Sequence, residues 1–295
     1  MNWETEPSNE GEPLPVEVTA SIAGNPNHSE YTDDRAVAKE ILGGRSAVMA
    51  AIDGMGGGGH ASAKAAEAIA ERVGAMATGL VSVPSVEEGK HLLGKALLAA
   101  RDDIQKIPEK AYNKNLDAVA CVSMICEENG KRFLVVANVG DARMCRFTGK
   151  GSEQISRDHS MLAIQVERGE LTPTQAFNDP TRNLVYKAVG SLEGVDDINF
   201  DVVEIHEGDF FVAFSDGVCD NIPPGQLFDT FWEVVGESYI DQKNGILDLR
   251  RVARGLVWRA QLVQIKEDGP NYKRPSYAKK DDTTVVVLYI PRKRK

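Results

Sequence analysis

The chain has 295 residues, a formal net charge of −10 and 42% apolar residues, which is enough apolar material for a sizeable core. The acidic balance argues against sequence-independent binding of nucleic acid, and the basic stretch at residues 292–295 is too short to reverse it. No apolar run approaches the roughly 20 residues that a membrane-spanning helix needs, so neither a nucleic acid nor a membrane is expected as a partner.

The four cysteines, at positions 121, 126, 145 and 219, lie in or beside apolar runs, and none forms a CxxC pair. They are typical of reduced core residues in a cytosolic protein and argue against a zinc knuckle. Residues 1–15 are polar and acidic rather than an apolar signal sequence, which again predicts a cytoplasmic protein. Residues 1–13 are expected to form a flexible lead-in.

The first half of the chain mixes strand and helix patterns. Apolar and β-branched runs predict strands at residues 16–22, 35–39 and 46–52. Alanine-rich and apolar periodicity then predicts helices at residues 61–76 and 86–107, the second opened by the turn around Pro84.

The second half returns to short β-rich runs, which predict strands at residues 118–126, 133–139, 144–147, 202–205, 210–214 and 283–290. Asn129-Gly130 between the first two of these is a strong hairpin signal. Helices are predicted at 161–167, 174–177, 224–235 and 247–265. Because strands and helices occur in separate runs, the pattern favours an α+β fold, an antiparallel sandwich covered by helices, over a Rossmann fold.

Five short acidic motifs lie beside strand ends or glycines. They are Asp33-Asp34, Asp53-Gly54, Gly140-Asp141, Asp216-Gly217 with Asp220, and Asp281-Asp282. Any one of them is explained as a strand terminator, but this explains poorly why most lie directly against core strands.

If the strand ends meet, the carboxylates need cations, because like charges raise one another's pKa. Oxygen ligands favour Mg²⁺ or Mn²⁺ over zinc, and two such ions can generate a nucleophilic water and orient a phosphoryl group. The residues alone therefore allow a two-metal phosphoesterase, while nucleases and other hydrolases share the same logic.

The motifs together resemble the metal-dependent serine/threonine protein phosphatases, the PPM or type-2C family, in its bacterial-like branch. The resemblance is carried in order by Ala51-Ile52-Asp53-Gly54-Met55-Gly56-Gly57, Asn138-Val139-Gly140-Asp141-Ala142-Arg143, Arg157-Asp158-His159-Ser160, Ser215-Asp216-Gly217-Val218 with Asp220, and Asp281-Asp282-Thr283-Thr284-Val285-Val286-Val287. Arg168-Gly169-Glu170-Leu171-Thr172-Pro173 and Lys187-Ala188-Val189-Gly190 match the family's flap region.

The resemblance implies a four-layer αββα fold, an antiparallel sandwich with helices on both faces. One phosphatase domain is expected over residues 14–295, with a flap at about 156–200 and a helical insertion at about 221–280. The expected cofactors are two Mn²⁺ or Mg²⁺ ions, with a third, weaker site; no organic cofactor is expected.

Carried over residue by residue, Asp53 would bridge both metals, and Asp216 and Asp281 would complete the first site. Asp33 and the Gly54 carbonyl would bind the second metal, and Asp34 would orient coordinated water. Asp141 and Asp220, with Asp216, match the third site. Asp53, Asp33 and Asp34 are thus the expected catalytic residues.

Two positions depart from the family. Met55 stands where many eukaryotic members have a His proposed as general acid, and Ser29, beside His28, stands where many members have a phosphate-binding Arg. His28 and Arg35 are therefore candidate phosphate contacts. Arg35 follows Asp33 by two residues in an extended segment, which predicts the same face. The alternative is that Arg35 only pairs with a nearby carboxylate.

The expected function is hydrolysis of phosphoserine and phosphothreonine in proteins by a metal-bridging water at a binuclear centre. The alternatives are a weak or inactive member acting as a phosphoprotein-binding or regulatory module, a phosphatase with one dedicated protein partner, and a phosphatase for small molecules. Phosphorylated proteins and a Ser/Thr kinase are the expected partners, and the chain is expected to be a monomer.

Overall fold

The fold was obtained as a computed structural model that describes residues 15–25, 32–55, 60–107, 116–241, 246–265 and 277–292. Within these ranges the strands are β1 Glu17–Ala23, β2 Arg35–Ile41, β3 Ser46–Met55, β4 Asp117–Glu128, β5 Lys131–Val139, β6 Arg143–Thr148, β7 Gly151–Gln154, β8 Asn199–Glu204, β9 Phe210–Phe214, β10 Tyr239–Asp241, β11 Ile246–Leu247 and β12 Thr283–Tyr289. The α-helices are α1 His60–Thr78, α2 Val86–Ile104, α3 Met161–Glu167, α4 Pro173–Phe177, α5 Asp216–Cys219, α6 Pro224–Glu237 and α7 Leu249–Ile265.

Two five-stranded antiparallel sheets form the centre of the molecule. The first sheet has the strand order β2-β3-β4-β5-β8, and the second has the order β1-β12-β9-β6-β7. Helices α1 and α2 cover the first sheet, while α7 packs against β1 and β12 of the second and α6 packs on α7. The expected α+β sandwich with helices on both outer faces is therefore confirmed.

Strand β3 shows why the sequence produces these layers. Val48, Ala50 and Ile52 point into the core between the first sheet and its helices. The alternate residues Met49 and Ala51 point into the core between the two sheets. Both faces of a central strand are buried here, so the sequence is continuously apolar rather than alternating.

The core between the second sheet and helices α6 and α7 is rich in aromatic side chains. The ring of Phe231 on α6 stacks on Phe147 of β6 at 4.0 Å and meets Phe210 of β9 edge-on at 5.3 Å. Such ring contacts add to the stabilisation that burial alone provides. Helices α6 and α7 thus serve as the cover of this sheet, as the apolar periodicity of residues 224–235 and 247–265 predicts.

The hairpin signal at Asn129-Gly130 is confirmed. Both residues have positive φ, 53° and 75°, as a two-residue turn between twisted strands requires. The short strand β7 and the β10–β11 pair were not predicted, because their sequences are short or polar. Strand β3 is longer than predicted: it continues to Met55, so Asp53 lies within the strand and opposite Val119 of β4.

The strand registers bring the acidic motifs to one end of the sandwich. In the first sheet, Arg35 pairs with Ile52, which places the start of β2 beside the end of β3. In the second sheet, the end of β9 pairs with the start of β12 through Phe214 and Val285. Since β12 also packs against β3, the two sheets present these ends side by side.

None of the helices in the described ranges combines the length and apolar character needed to cross a bilayer.

Candidate metal centre

Three aspartates of the second sheet's end surround one ammonium group. The Lys279 Nζ lies 2.5 Å from Asp216 Oδ2, 2.6 Å from Asp281 Oδ2 and 3.6 Å from Asp220 Oδ2. Asp216 begins α5 directly after β9, and Asp281 lies two residues before β12. Paired strands that end together therefore supply carboxylates converging on one cation.

The first sheet's end adds two further acidic groups, Asp34 and Asp53. Asp34 is fully buried and Asp53 partly buried. Burial, followed by the charges of Asp216 and Asp34, raises the pKa of Asp53 well above its usual value. Burial also raises the pKa of Asp34, although the hydroxyls of Thr284 and Ser215 act in the opposite direction. Each group is thus destabilised as a carboxylate until positive charge compensates it.

The Lys279 ammonium distributes its effect unevenly over its partners. Burial acts to raise the pKa of Asp216, but the charge and hydrogen bond of Lys279 outweigh it, so that this pKa is lowered. Burial and the neighbouring Asp216 charge raise the pKa of Asp281 to about 7. The Lys279 ammonium therefore favours the ionised form of Asp216 and compensates the carboxylate of Asp281 only in part.

Gly54 is required by close backbone packing. A Cβ at this position would lie 2.5 Å from the Ser62 carbonyl oxygen and 2.8 Å from the Asp33 carbonyl oxygen. The segment that carries Asp33 thus rests directly on the strand that carries Asp53. Any larger residue would push the two candidate ligand segments apart.

Asp282 holds the Asp33 loop in place, a role that the sequence did not reveal. Its Oδ2 accepts hydrogen bonds from the Asp33 backbone N–H at 2.5 Å and the Thr32 hydroxyl at 2.8 Å. Its Oδ1 accepts from the backbone N–H of Asn25 at 2.6 Å. The Asp282 side chain therefore links the Asp33 loop to the start of β12. In the sequence, the only signal for this role was the position of Asp282 beside Asp281.

Asp141 and Asp220, the expected third-site residues, both lie at this end. Asp141 follows Gly140, whose φ of +98° and close approach to Val119 exclude a side chain. Burial and the Asp216 charge raise the pKa of both aspartates. Asp220 also pairs with Arg182 at 3.2 Å, so a cation from the flap reaches the site.

The candidate phosphate contacts are placed differently. His28 and Ser29 lie outside the described residues. Arg35 donates from Nη1 to the backbone carbonyls of Thr32 and Asp34, each at 2.8 Å. In this position its guanidinium supports the loop that carries Asp33, and its role toward substrate stays a prediction. Met55 ends β3 and packs with the core between the sheets.

His159 supports the loop after β5. The ring Nδ1 of His159 accepts a hydrogen bond from the Gly140 backbone N–H at 3.0 Å, and the backbone N–H of His159 donates to the Gly140 carbonyl at 2.8 Å. Burial lowers the pKa of His159, which keeps the ring neutral and able to accept. Arg143 pairs with Asp158 at 2.7 Å rather than with Asp141.

A cavity of about 660 Å³ adjoins the carboxylates on the flap side. Its lining includes Leu162 and Phe177 of the flap, Leu227 of α6, and the pair Arg182 and Asp220. An extended segment of another molecule could therefore reach Asp220 along this cavity, past both apolar and charged side chains.

The residues present fit a hard divalent cation. Their donors are carboxylate oxygens and a backbone carbonyl, the ligands that Mg²⁺ and Mn²⁺ prefer. In their present arrangement, no three His, Cys, Asp or Glu side chains of the described ranges surround a point suited to a metal ion. Around Lys279, however, three of them already surround a cationic nitrogen.

Comparison with known proteins gives a consistent result. The family model described as Protein phosphatase 2C matches residues 27–248. The serine/threonine phosphatase stp of Listeria innocua is 26% identical over 210 residues, which cover 68% of this chain and 81% of that protein. The solved structure of the serine/threonine phosphatase Stp1 from Staphylococcus aureus has a TM-score of 0.74 at 18% identity, covering 98% of this chain and 100% of that one. The catalytic domain of the phosphatase PstP, in complex with 2 manganese ions, has a TM-score of 0.65 at 17% identity, covering 94% and 99%.

Proposed function

The chain belongs to the protein phosphatase 2C family and is a metal-dependent protein-serine/threonine phosphatase, and we propose that a binuclear Mn²⁺ or Mg²⁺ centre at the acidic end of the sandwich serves its reaction. The observation that supports this most strongly is the convergence of Asp216, Asp281 and Asp220 on one cationic nitrogen. A cluster that already binds a positive group there can bind a divalent ion with the same oxygens.

The proposed ligands come from both sheets. Asp53, from the first sheet, would be shared between the two ions, and Asp216 and Asp281 would hold one of them. Asp33 and the Gly54 carbonyl would hold the other, with Asp141 and Asp220 as a third, weaker site. When bound, such ions lower the pKa of water and neutralise the charge on a phosphoryl group.

The chain's own residues supply position and electrostatics. Burial raises the pKa of Asp34 and Asp53, so their ionised forms are favoured where a cation compensates them, and cation binding and ionisation support each other. Asp282 and Gly54 fix the backbone of the Asp33 segment against β3, next to the residue that follows Asp53. Catalysis by fixed charges depends on such positioning more than on a protein nucleophile.

The proposed substrates are proteins that carry phosphoserine or phosphothreonine, the products of a Ser/Thr kinase. The cavity of about 660 Å³ beside Asp220, lined by both apolar and charged side chains, supports a polypeptide rather than a small phosphate ester. The pairing of β1 with β12 supports one domain over residues 14–295, with 156–200 as its flap and 221–280 as an insertion, because early and late segments share a sheet. A monomer is proposed as well.

The test is hydrolysis of phosphoserine and phosphothreonine peptides, measured beside p-nitrophenyl phosphate, with Mn²⁺, with Mg²⁺ and with EDTA. We expect turnover of the peptides that EDTA abolishes and Mn²⁺ restores. Faster hydrolysis of small esters than of every peptide would favour a small-molecule phosphatase. Peptide binding without hydrolysis at saturating Mn²⁺ would favour a regulatory module.

A further inference from the structure

We infer that Lys279 is an internal competitor of the metal ions, whose ammonium occupies the Asp216 and Asp281 carboxylates and has to leave before a divalent ion binds them. This inference rests on the proposed function, because it takes those carboxylates as metal ligands. It adds that the chain itself sets how much metal is needed to fill the site.

The Lys279 side chain is built to reach the cluster. Its backbone is held on both sides by the buried Asn221, which donates to the Lys279 carbonyl at 3.0 Å and accepts from the Lys279 N–H at 3.0 Å. Its side chain is 27% exposed, and its Nζ lies 2.5 Å from Asp216 and 2.6 Å from Asp281. The backbone thus fixes where the side chain starts, while the side chain itself is partly open to solvent.

The ammonium and a metal ion exclude each other on these oxygens. A Mg²⁺ ion requires oxygen ligands at about 2.0–2.1 Å, in a fixed geometry. A second cation already within hydrogen-bonding distance of the same oxygens would be strongly repelled at that separation. Binding is therefore an exchange, in which the long lysine stem rotates the ammonium into solvent.

An exchange weakens the apparent metal affinity. The apparent dissociation constant equals the intrinsic one divided by the fraction of molecules in which the ammonium has left the carboxylates, so it increases as that fraction falls. The same contact has a second effect, since Lys279 compensates carboxylates that otherwise repel one another. Lys279 is thus expected to stabilise the chain when metal is scarce and to delay loading until metal is sufficient.

The test is calorimetric titration of the full chain with Mn²⁺, comparing the wild type with Lys279→Met, which keeps the stem and removes the charge. We expect Lys279→Met to bind Mn²⁺ roughly tenfold more tightly or more. The matched control is Lys187→Met: Lys187 is 31% exposed and pairs with a single carboxylate, Asp197, at 2.8 Å. Its affinity for Mn²⁺ should equal that of the wild type.

A second readout is thermal unfolding. In EDTA, Lys279→Met should melt below the wild type, and at saturating Mn²⁺ this difference should vanish or reverse. A purely structural lysine would lower the melting temperature equally in both conditions, which would overturn the inference. If Lys279→Met does not fold, Lys279→Gln and Lys279→Arg are compared instead. Lys279→Gln should bind Mn²⁺ more tightly than Lys279→Arg, and equal affinities of the two variants would overturn the inference.

Two further outcomes separate the causes of failure. An unchanged Mn²⁺ affinity in Lys279→Met with a raised KM for phosphopeptide would assign Lys279 to the substrate and overturn the competition. Wild-type Mn²⁺ binding by Asp53→Asn would instead show that the proposed metal centre is misplaced, whatever Lys279 does.

Discussion

Strand β9 has a buried aspartate near each end, and the two serve different purposes. Asp209 precedes the strand and accepts from Arg146 at 2.7 Å and from the backbone N–H of His206 at 2.9 Å. Asp216 follows the strand and shares the Lys279 ammonium with Asp281 and Asp220. The carboxylate before β9 is balanced by Arg146. The end after β9 brings together more carboxylates than cations among the described residues.

This difference teaches how a buried aspartate can be interpreted. A carboxylate paired with an arginine and a backbone donor has its charge compensated, and removing one partner would leave the other buried without compensation. Several carboxylates around one lysine are strained until more positive charge arrives. The excess of negative charge, rather than burial itself, distinguishes the end of the sandwich at which we propose the metal centre.

The largest effect is expected from Asp53→Asn. With its shared ligand gone, the chain should lose tight Mn²⁺ binding and at least about a thousandfold of its turnover on phosphopeptide. In EDTA its melting temperature should rise, because one repelling carboxylate is removed. Turnover assays and thermal melts check both. Near wild-type turnover with Mn²⁺ would remove Asp53 from the metal centre.

Asp209→Asn should show the opposite pattern and serves as the control for Asp53→Asn. Loss of the pairing with Arg146 should lower the free energy of unfolding by up to about 3 kcal/mol, in EDTA and in Mn²⁺ alike. Its Mn²⁺ affinity should equal that of the wild type. Urea unfolding and calorimetry provide the two measurements. A changed Mn²⁺ affinity would show that the two ends are not independent.

Asp141→Asn tests how far the proposed metal centre extends. We expect turnover to fall roughly ten- to a hundredfold, which corresponds to a loss of about 1.4–2.7 kcal/mol of transition-state stabilisation. Two Mn²⁺ ions should still bind. Calorimetry measures how many Mn²⁺ ions the variant binds, and a phosphopeptide assay measures its turnover. If all Mn²⁺ binding disappears, Asp141 belongs to the binuclear centre itself.

The smallest effect is expected from pH acting through His159. Burial lowers its pKa in the folded chain, so the unfolded chain binds more protons below the usual value of about 6.5. The contribution of neutral His159 to the free energy of unfolding is therefore fully present above that pH. It is lost as the pH falls, by at most about 1.4 kcal/mol for each pH unit. Urea unfolding of the wild type and His159→Gln between pH 7 and 5 measures the difference. Identical slopes would mean that His159 titrates normally.

Much of the framework could be predicted from the sequence, because each signal was local. The apolar run before Asp53 and the turn Asn129-Gly130 predict a strand and a hairpin without knowledge of the rest of the chain. The aspartates could be recognised as candidates because each lies beside a strand end or a glycine. Their assignment to individual ions remains a prediction.

The remaining features depend on contacts between distant parts of the chain. Lys279 lies in a polar segment with no motif, 63 residues from Asp216, and nothing local connects the two. Asp282 and the Asp33 backbone are 249 residues apart. Such contacts follow from the strand order of the second sheet, which local periodicity does not determine.

The position of β12 has a consequence for how the chain is made. This strand is the last one described, yet it lies inside its sheet, between β1 and β9. A nascent chain emerging from the ribosome therefore exposes unpaired edges of β1 and β9 until residue 289 has been synthesised. Because Asp281 lies two residues before the same strand, the carboxylates of the proposed metal centre can come together only after β12 has emerged and paired.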